Sequence, residues 1–497
     1  MVTSADTAMT IGRGIRCVAA GHADKLALSD SLGQSRTYTQ LTARMDAVGR
    51  LATAHALGKG DVVALIAPNC IEYAELVCGF SERGIVVATL NPMLAAEELA
   101  RIFDDCNPRL IIAAASVDVP AHDRPLIELG EQLEYALAQA SASTQLPQID
   151  ERETFAISYT SGTTGLPKGV MLSHRSRCLM FYAMATEYDC FGRDDHFLGL
   201  APMCHGAGLA FALAPLFNGG RCTLQYAQQP EDLLAAIDQH QPNGIFVVPT
   251  HLHRIFSAPA ALRAAYRGRH RLRTIISNAA ALSPTLKRAA VDYFGDGLLH
   301  ETYGSTEGGI VTNIRPQEIL AKPRSVGPAF SNMEIELRRD DGTIASPGEP
   351  GELYSRSPFS FSGYLNRPEE TEQALADGWV TVGDIATCDE AGYITITDRK
   401  KDMVVSGGMN VYPREVETII EASPGVVECA VVGVPDAEWG ERLHVFAVTG
   451  TDTDIDANEI LAACRGALAA YKVPKGVTFI DQLPRNPAGK LIKRELR

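Results

Sequence analysis

A stretch rich in hydroxyl groups and glycine, ending in a single lysine, is the first place where this sequence indicates chemistry. It reads YTSGTTGLPKG from Tyr159 to Gly169 and follows the apolar run TFAISY, which predicts a strand leading into a loop. Glycines let the backbone approach an anion closely, hydroxyls and amides donate hydrogen bonds to phosphate oxygens, and Lys168 adds a point charge. The stretch therefore predicts a phosphate-binding loop. It differs from a Walker A loop, because Leu166 and Pro167 precede the lysine and a glycine follows it.

Composition and charge restrict the classes of protein to be considered. The chain has 497 residues and a formal net charge of -15, from 45 basic and 60 acidic residues. Such a charge repels nucleic acid and anionic membranes, so we expect no nucleic-acid partner. The 11 cysteines show no metal-ligand spacing and predict reduced thiols in a cytoplasmic protein. The start lacks a signal-peptide pattern, and we expect no transmembrane segment, because no apolar run reaches the roughly 20 residues that span a bilayer.

The elements that must position the loop follow an alternating pattern. Residues 38–112 alternate between helical patterns such as AEELARIFDDC and short aliphatic runs such as DVVALIA and GIVVATL. Further strand and helix units follow the loop, including GIFVVPT, LRTIISNAA and SPTLKRAAVDYFG. This alternation predicts parallel strands joined by crossover helices. The fold class is therefore α/β, with a large N-terminal region of mixed sheets and helices.

The texture of the sequence changes near Met333. Short strands with turn signals, as in GYITITDRKKDMVVSGG, predict an additional β portion, and the last hundred or so residues predict a compact α+β unit. The charged run DRKKD marks the boundary. We therefore predict a boundary at 398–402, between a large N-terminal domain at 1–397 and a small C-terminal domain at 403–497.

Seven motifs, taken in order, resemble the adenylate-forming superfamily, which contains acyl-CoA and aryl-CoA synthetases, firefly-type luciferases and peptide-synthetase adenylation domains. They are YTSGTTGLPKG, APMCHGAG, YGSTEGG, GELYSRSPFSFSGYLNRPE, GWVTVGDIA, DRKKDMVVSGGMNVYPREVE and PRNPAGKLIKREL. The resemblance runs over nearly the whole chain. It implies an AMP-forming carboxylic acid–CoA ligase that uses ATP, Mg²⁺ and coenzyme A. It also implies that residues 1–397 form the ATP- and acyl-binding domain, that 398–402 are a hinge and that 403–497 form a small mobile C-terminal domain.

The resemblance also implies roles for individual residues in adenylation. Joining a carboxylate to the α-phosphorus brings two anions together, so cations and hydrogen-bond donors are required. Lys490 is implied to bridge both anions, and His205 to lie beside the substrate carboxylate. The residues implied for ATP are Thr160, Ser161, Gly162, Thr163, Thr164 and Lys168 at the β- and γ-phosphates, Ala279, Ala280, Ala281 and Tyr303 at adenine, Thr306 at the α-phosphate, Asp384 and Arg399 at the ribose, and Glu307 at Mg²⁺.

A second set of residues is implied for thioester formation and for the acid. Lys401 occupies the hinge position, Gly407 and Gly408 would leave space for the pantetheine arm, and Trp439 and Tyr471 match contacts to the CoA nucleotide. Small residues are implied to line the acyl pocket: Gly206, Ala207, Gly208, Gly304, Gly308 and Gly309, beside Ala281. Because none of these is charged, a dicarboxylate or an amino acid would leave an unpaired buried charge.

The expected substrate is therefore a medium- or long-chain fatty acid. An aryl or phenylpropenoid acid of the benzoate, coumarate or ferulate type is the main alternative, and a luciferase-like oxygenase is another. An amino-acid adenylation domain is disfavoured, because APMCHGAGLAF carries no acidic group to hold an ammonium. A nucleotide-binding protein without turnover is disfavoured, because it would be expected to carry damaged catalytic motifs, whereas Thr306, Glu307 and Lys490 are all present. A homodimer is among the assemblies that the sequence allows.

Overall fold

The computed structural model describes residues 8–140, 146–160, 167–225, 229–406, 409–436, 439–450, 455–485 and 491–497. Its α-helices are α1 (Ile11–Gly21), α2 (Tyr38–Ala54), α3 (Ile71–Ser81), α4 (Ala96–Cys106), α5 (Glu131–Gln139), α6 (His174–Tyr188), α7 (Gly206–Asn218), α8 (Pro230–His240), α9 (Pro249–Ser257), α10 (Ala260–Tyr266), α11 (Pro284–Phe294), α12 (Pro368–Ala374), α13 (Pro413–Glu421) and α14 (Ala457–Ala467).

Its strands are β1 (Leu26–Asp30), β2 (Ser35–Thr37), β3 (Val62–Ile66), β4 (Val86–Leu90), β5 (Leu110–Ala113), β6 (Leu126–Glu128), β7 (Thr154–Thr160), β8 (Lys168–Ser173), β9 (His196–Gly199), β10 (Arg221–Leu224), β11 (Gly244–Val247), β12 (Thr274–Ser277), β13 (Leu299–Ser305), β14 (Gly309–Ile314), β15 (Glu334–Arg338), β16 (Gly351–Arg356), β17 (Leu375–Ala376), β18 (Trp379–Val380), β19 (Asp384–Cys388), β20 (Ile394–Arg399), β21 (Val404–Ser406), β22 (Met409–Val411), β23 (Val426–Asp436), β24 (Gly440–Thr449) and β25 (Gly476–Phe479).

The chain divides by its contacts into two compact units. The first comprises Met1–Ala321, Phe330–Met333 and Arg356–Val380, and the second comprises Lys322–Ala329, Glu334–Ser355 and Thr381–Arg497. The second unit therefore joins the predicted β portion to the C-terminal residues. Contacts do not report a motion, so the hinge at 398–402 and the domains on either side of it remain predictions.

Two sheets form the framework of the first unit. One has the strand order β14-β13-β12-β11-β9-β10-β1-β2, and the other has the order β6-β5-β3-β4-β7-β8. The pairs β9·β11, β11·β12 and β12·β13 are parallel, as are β3·β4 and β4·β7. The aliphatic runs form these strands because both faces of a parallel sheet are covered by helices. The predicted α/β class is confirmed.

Apolar residues at helical spacing pack the neighbouring helices against each sheet. Helix α11 is an example. The side chain of Ser283, just before the helix, accepts from the N–H of Leu286, and Pro284 occupies the first helical position. It then buries Leu286, Ala290 and other apolar residues in a cluster that includes residues of β11, β12 and β13.

The second unit contains most strands of two further sheets. Strands β19 and β20 pair in antiparallel fashion, and β19 also pairs with β16. Strands β21 to β24 form an antiparallel sheet, and β25 joins it in parallel alongside β24. Helices α13 and α14 cover one core of buried aliphatic residues, including Val416, Ile420 and Ile460. The additional β portion and the α+β C-terminal unit are thus present as predicted.

Two expectations about the whole chain can be compared with the structure. All 11 cysteines are free, and eight of them are buried. Among the described helices, none combines enough length with enough apolar character to cross a bilayer.

Candidate active site

Most of the predicted site residues of the first unit lie where strands of its larger sheet end. The segment that carries His205 follows β9, the Ala279–Ala281 turn follows β12, and Tyr303 lies near the end of β13. These strands run parallel, so their carboxyl ends lie at one edge of the sheet. Ligands of open α/β sheets bind at this edge. The topology therefore brings together segments that lie up to a hundred residues apart.

A hairpin carries the residues predicted for the α-phosphate and Mg²⁺. Thr306 and Glu307 occupy the turn between β13 and β14, and the N–H of Gly308 donates to the hydroxyl of Ser305 at 2.9 Å. The Glu307 side chain is buried, at 8% exposure. A buried carboxylate at a strand end is costly unless it is paired with a donor or a cation.

Tyr364 supplies a donor to that carboxylate. Its hydroxyl donates to Glu307 Oε1 at 2.8 Å. The N–H of Phe361 also donates to the carbonyl oxygen of Glu307, at 2.8 Å. The pKa of Tyr364 is raised, first by burial and then by the charge of Glu307, so the hydroxyl keeps its proton. The segment around residues 359–364 thus holds Glu307 in position.

The start of helix α7 packs directly against this hairpin. A Cβ placed on Gly206 would come within 3.0 Å of Thr306 Cγ2, so only a very small residue fits there without movement. The first N–H groups of a helix have no partner within the helix and carry a partial positive charge. The first turn of α7, which contains Gly206, Ala207 and Gly208, therefore presents donors close to Thr306.

His205 forms the N-terminal boundary of α7 and is held by the smaller sheet. Its Nε2 lies 3.4 Å from the side-chain nitrogen of Asn91, a residue that follows β4. Asn69 accepts from the N–H of Met203 at 2.8 Å and donates to the carbonyl of Ala201 at 2.9 Å. Burial lowers the pKa of His205, which favours a neutral imidazole at neutral pH. This suits a positioning role better than the role of a cation.

Gly208 is one of the small residues predicted to line the acyl pocket. A Cβ at this position would lie 2.0 Å from the carbonyl oxygen of Pro202. The glycine is therefore required by the close approach of α7 to the preceding turn, and its small size does not by itself indicate a pocket. Its contact with substrate remains a prediction, as do the contacts of Gly304, Gly308 and Gly309.

The described ends of the phosphate-binding loop are Thr160 and Lys168, which face each other as Cα partners across β7 and β8. The ammonium of Lys168 lies 2.8 Å from the Glu370 carboxylate and 5.0 Å from the centre of the Tyr364 ring. The segment that contains these two partners is paired to β8, because the N–H of Met171 donates to the carbonyl of Gly363 at 3.0 Å. Lys168 is therefore held in a defined place at the edge of the sheet.

The turn predicted to contact adenine has a strained residue. Ala279 has a φ of +78°, a conformation that favours glycine. Asn278 accepts from the N–H of Ala279 and donates to the Thr302 hydroxyl at 2.8 Å, which ties the turn to β13. The N–H of Leu282 donates to Glu301 at 2.8 Å. The glycine-poor sequence of this turn thus adopts a conformation that glycine would take more easily.

A buried ion pair supports the same turn from beneath. Lys287 of α11 lies 2.5 Å from the Glu301 carboxylate, with side-chain exposures of 1% and 2%. Removing either partner would leave an uncompensated buried charge. The pair therefore joins α11 to β13 through Glu301, the residue that also accepts from the N–H of Leu282 at the end of the turn.

The second unit places two predicted ribose-binding residues side by side. Asp384 and Arg399 are Cα partners on β19 and β20, and their side chains form an ion pair at 2.9 Å. Lys401 lies in the 3₁₀ helix Lys400–Asp402. Their predicted roles toward ribose and in a hinge remain predictions.

The two aromatic residues predicted to contact the CoA nucleotide also lie in this unit, each beside a lysine. Lys475 lies 5.3 Å from the ring centre of Trp439, and Lys472 lies 5.7 Å from that of Tyr471. A ring beside an ammonium suits an adenine nucleotide, whose base can stack and whose phosphates are anionic.

Several predicted site residues lie outside the described part of the chain. They are Ser161, Gly162, Thr163, Thr164, Gly407, Gly408 and Lys490. Their roles remain predictions.

The structure brings to this site four residues that the sequence-based predictions do not include: Asn91, Arg177, Tyr364 and Glu370. Tyr364 stands inside a motif already noted, GELYSRSPFSFSGYLNRPE, and Glu370 follows directly after it. For the other two, no local pattern signals the role, because each acts on a segment far away in sequence.

Arg177 is the least expected of the four. Its side chain is buried, and it donates to the carbonyl of Phe359 at 3.0 Å and lies 3.5 Å from that of Thr306. Nε has no hydrogen-bond partner among the described residues. Burial lowers its pKa to about 10. Arg177 thus joins the hairpin of Thr306 to the segment that holds Glu307.

Comparisons with known proteins agree with this arrangement. The feruloyl-CoA synthase of Amycolatopsis sp is 34% identical over 474 residues, covering 94% of each chain. The long-chain-fatty-acid–CoA ligase FadD13 of Mycobacterium tuberculosis is 33% identical, covering 93% of this chain and 92% of its own length.

Solved structures show the same fold. ATP-bound MatB from Rhodopseudomonas palustris is 30% identical, with a TM-score of 0.88 and 98% of each chain covered. The o-succinylbenzoate CoA synthetase of Bacillus subtilis, in complex with its acyl-adenylate intermediate, is 25% identical, with a TM-score of 0.87 and 97% of each chain covered. The resemblance inferred from the motifs is confirmed.

Family models match both ends of the chain. The model described as AMP-binding enzyme matches residues 15–365, and the one described as AMP-binding enzyme C-terminal domain matches residues 415–490. The first match alone includes most of the residues that surround Thr306 and Lys168. This chain therefore belongs to the AMP-binding enzymes of the adenylate-forming superfamily, and within it to the AMP-forming acid–CoA ligases.

Proposed function

We propose that this ligase activates a medium- or long-chain fatty acid. In the first step a carboxylate oxygen attacks the α-phosphorus of ATP, an O–P bond forms, and the bond to pyrophosphate breaks. In the second step the thiol of coenzyme A loses its proton and attacks the acyl carbon, and AMP leaves with the electron pair of the broken C–O bond. The products are an acyl-CoA thioester, AMP and pyrophosphate.

The observation that carries the proposal is the contact between the start of α7 and Thr306. Gly206 leaves little room for a side chain against Thr306, so the helix start and the proposed α-phosphate position are neighbours. N–H groups at a helix start favour an anion, and the Thr306 hydroxyl can donate to a second one. This arrangement suits a carboxylate that must approach a phosphate, with His205 orienting the carboxylate from one side.

Mg²⁺ is proposed to bind at Glu307. Mg²⁺ usually takes one or two carboxylates and completes its coordination with water and substrate phosphates. Glu307 is a single buried carboxylate held by Tyr364, and the described residues contain no group of three or more acidic or His/Cys ligands. A lone carboxylate beside a phosphate site fits this requirement. When bound, the ion would neutralise charge on the phosphate oxygens.

The lack of charged residues in α7 disfavours a substrate with a second charged group. Beyond its first turn the helix buries Leu209, Phe211 and Leu213, without an acidic or basic residue. A second carboxylate or an ammonium on the acid would meet no partner on this helix. The fatty acid is also the acid named for one of the relatives, whereas feruloyl-CoA synthase points to the alternative aryl substrate.

The test is pyrophosphate release over a panel of acids, with and without coenzyme A. The panel contains acetate, octanoate, palmitate, ferulate, benzoate and succinate. We expect the highest kcat/KM with octanoate or palmitate, thioester only when CoA is present, and poor use of acetate and succinate. A clear preference for ferulate or benzoate would instead assign the aryl alternative. Preference for acetate or succinate would contradict the proposed substrate class.

A further inference from the structure

Glu370 forms an ion pair with Lys168, the lysine that is proposed to bind phosphate. The Lys168 ammonium lies 2.8 Å from Glu370 Oε2, and the exposures of the two side chains are 16% and 30%. The hydrogen bond from Lys168 is the first cause that lowers the pKa of Glu370, so this carboxylate is ionised at neutral pH. Because the carboxylate compensates much of its charge, a lysine paired in this way attracts a phosphate less strongly.

A second cation stands on the other side of the same carboxylate. Arg367 Nη1 lies 3.3 Å from Glu370 Oε1. Glu370 therefore lies between two cations, Arg367 at the N-terminal boundary of its own helix α12 and Lys168 at the start of β8. If Lys168 turns away, Glu370 still has Arg367 as a partner. The exchange avoids the cost of an unpaired, partly buried carboxylate.

The Lys168 ammonium also contacts a second residue of the site. It already lies beside the Tyr364 ring, whose hydroxyl donates to the predicted Mg²⁺ ligand Glu307. An ammonium has three donors and a flexible stem, so it can leave a carboxylate for a phosphate after a rotation of its own side chain. Tyr364 thus contacts both Lys168 and the predicted Mg²⁺ ligand Glu307.

We propose that Glu370 competes with the phosphates of ATP for Lys168 and so weakens nucleotide binding. The inference rests on the proposed phosphate-binding role of Lys168. Nucleotide binding then includes an exchange in which the Lys168–Glu370 pair opens and the phosphates take its place. Glu370 is a residue that sets the affinity for ATP without touching the reacting atoms.

The direct test is the Kd for ATP with Mg²⁺, measured by titration calorimetry, which needs no turnover. Even a solvent-exposed ion pair contributes about 0.2 to 1 kcal/mol, and this pair is less exposed, so Glu370→Gln should lower the Kd by at least about 1.4- to 5-fold. Glu372→Gln removes a charge from the exposed side of the same helix and should leave the Kd unchanged. An unchanged or higher Kd for Glu370→Gln would overturn the proposal.

A double-mutant cycle separates competition from a general change in charge. Lys168→Met should raise the Kd, and in that background Glu370→Gln should have no further effect, because the competing pair no longer exists. An equal gain in both backgrounds would overturn the proposal. If Lys168→Met binds ATP as the parent does, the phosphate-binding role fails and the inference falls with it.

The acid panel distinguishes this failure from that of the proposed function. A protein that shows the expected ATP affinities but prefers another acid keeps the exchange at Glu370 and loses only the fatty-acid proposal. Unfolding midpoints of the variants should fall little, because both side chains are partly exposed, at 16% and 30%.

Discussion

Tyr364 donates its hydroxyl to Glu307 at 2.8 Å while its ring lies 5.0 Å from the ammonium of Lys168. One side chain thus contacts both the proposed Mg²⁺ ligand and the lysine of the phosphate-binding loop. The three residues come from strand β8, from the turn after β13 and from the segment before α12. Their meeting depends on the N–H of Leu365, which donates to the carbonyl of Gly169 at 2.8 Å and pairs this segment with β8.

Tyr364→Phe tests the hydroxyl while leaving the ring beside Lys168. A hydrogen bond to a charged group contributes about 1.5 to 3 kcal/mol, so we expect kcat/KM for ATP to fall by at least about tenfold. We also expect the variant to need a higher Mg²⁺ concentration for half-maximal activity. Pyrophosphate release at several Mg²⁺ concentrations measures both. Tyr182→Phe, at a 52% exposed tyrosine, is the control. Equal behaviour of the two variants would show that the hydroxyl does not position Glu307.

Lys490→Ala tests the two half-reactions separately. The lysine is assigned only to adenylation, so the variant should lose acyl-AMP formation and still convert supplied acyl-AMP and CoA to acyl-CoA. Chromatography of the adenylate and the thioester measures each step. Equal loss of both steps would contradict the assignment.

Gly208→Ala tests the close approach of α7 to the preceding turn. The added methyl group would lie 2.0 Å from the Pro202 carbonyl oxygen, and overpacking of this kind costs about 1 to 3 kcal/mol. Urea unfolding should show this loss. Gly466→Ala, in helix α14 with no neighbour within 4 Å, should instead stabilise the protein by about 0.5 to 1 kcal/mol. A Gly208 variant as stable as the parent would restore the interpretation of open space.

Ala279→Gly should relieve strain in the turn predicted to contact adenine. The residue has a φ of +78°, where an alanine costs about 1 to 2 kcal/mol and glycine costs little. Glycine also gives the unfolded chain more conformational entropy, which offsets part of this gain. We therefore expect a net stabilisation of about 0.5 to 1 kcal/mol. Ala280→Gly, at a residue without positive φ, should give no gain. Chemical unfolding of both variants decides between these outcomes.

Buried histidines make stability depend on pH. Burial lowers the pKa of His174 from 6.5 to about 3, and its Nδ1 accepts from the N–H of Ile11 at 3.3 Å. Because the unfolded chain binds a proton more readily, this contribution is complete above pH 6.5 and decreases as the pH falls toward 3. His174→Asn keeps an acceptor but does not titrate, so its unfolding midpoint should fall less between pH 7 and pH 5. Parallel curves would exclude this role.

The motifs of the primary sequence were sufficient for the family and for much of the fold. Aliphatic runs alternating with helical patterns predict a parallel sheet because side chains on both faces must be covered, and this holds wherever the run occurs. The loop before Lys168 predicts a phosphate site because hydroxyls, glycines and a lysine stand next to one another in the chain. Such signals are local, so they can be recognised without a structure.

Only the tertiary structure decided which distant side chains share a site. Arg177 reaches the carbonyls of Phe359 and Thr306, and Glu370 reaches Lys168, across sequence separations that no periodic pattern encodes. The small size of Gly208 also has two explanations in the sequence, empty space or close packing, and the distance to the Pro202 carbonyl favours packing. Hydrogen bonds and ion pairs depend on positions within a few tenths of an ångström, and those positions are set by how sheets and helices pack together.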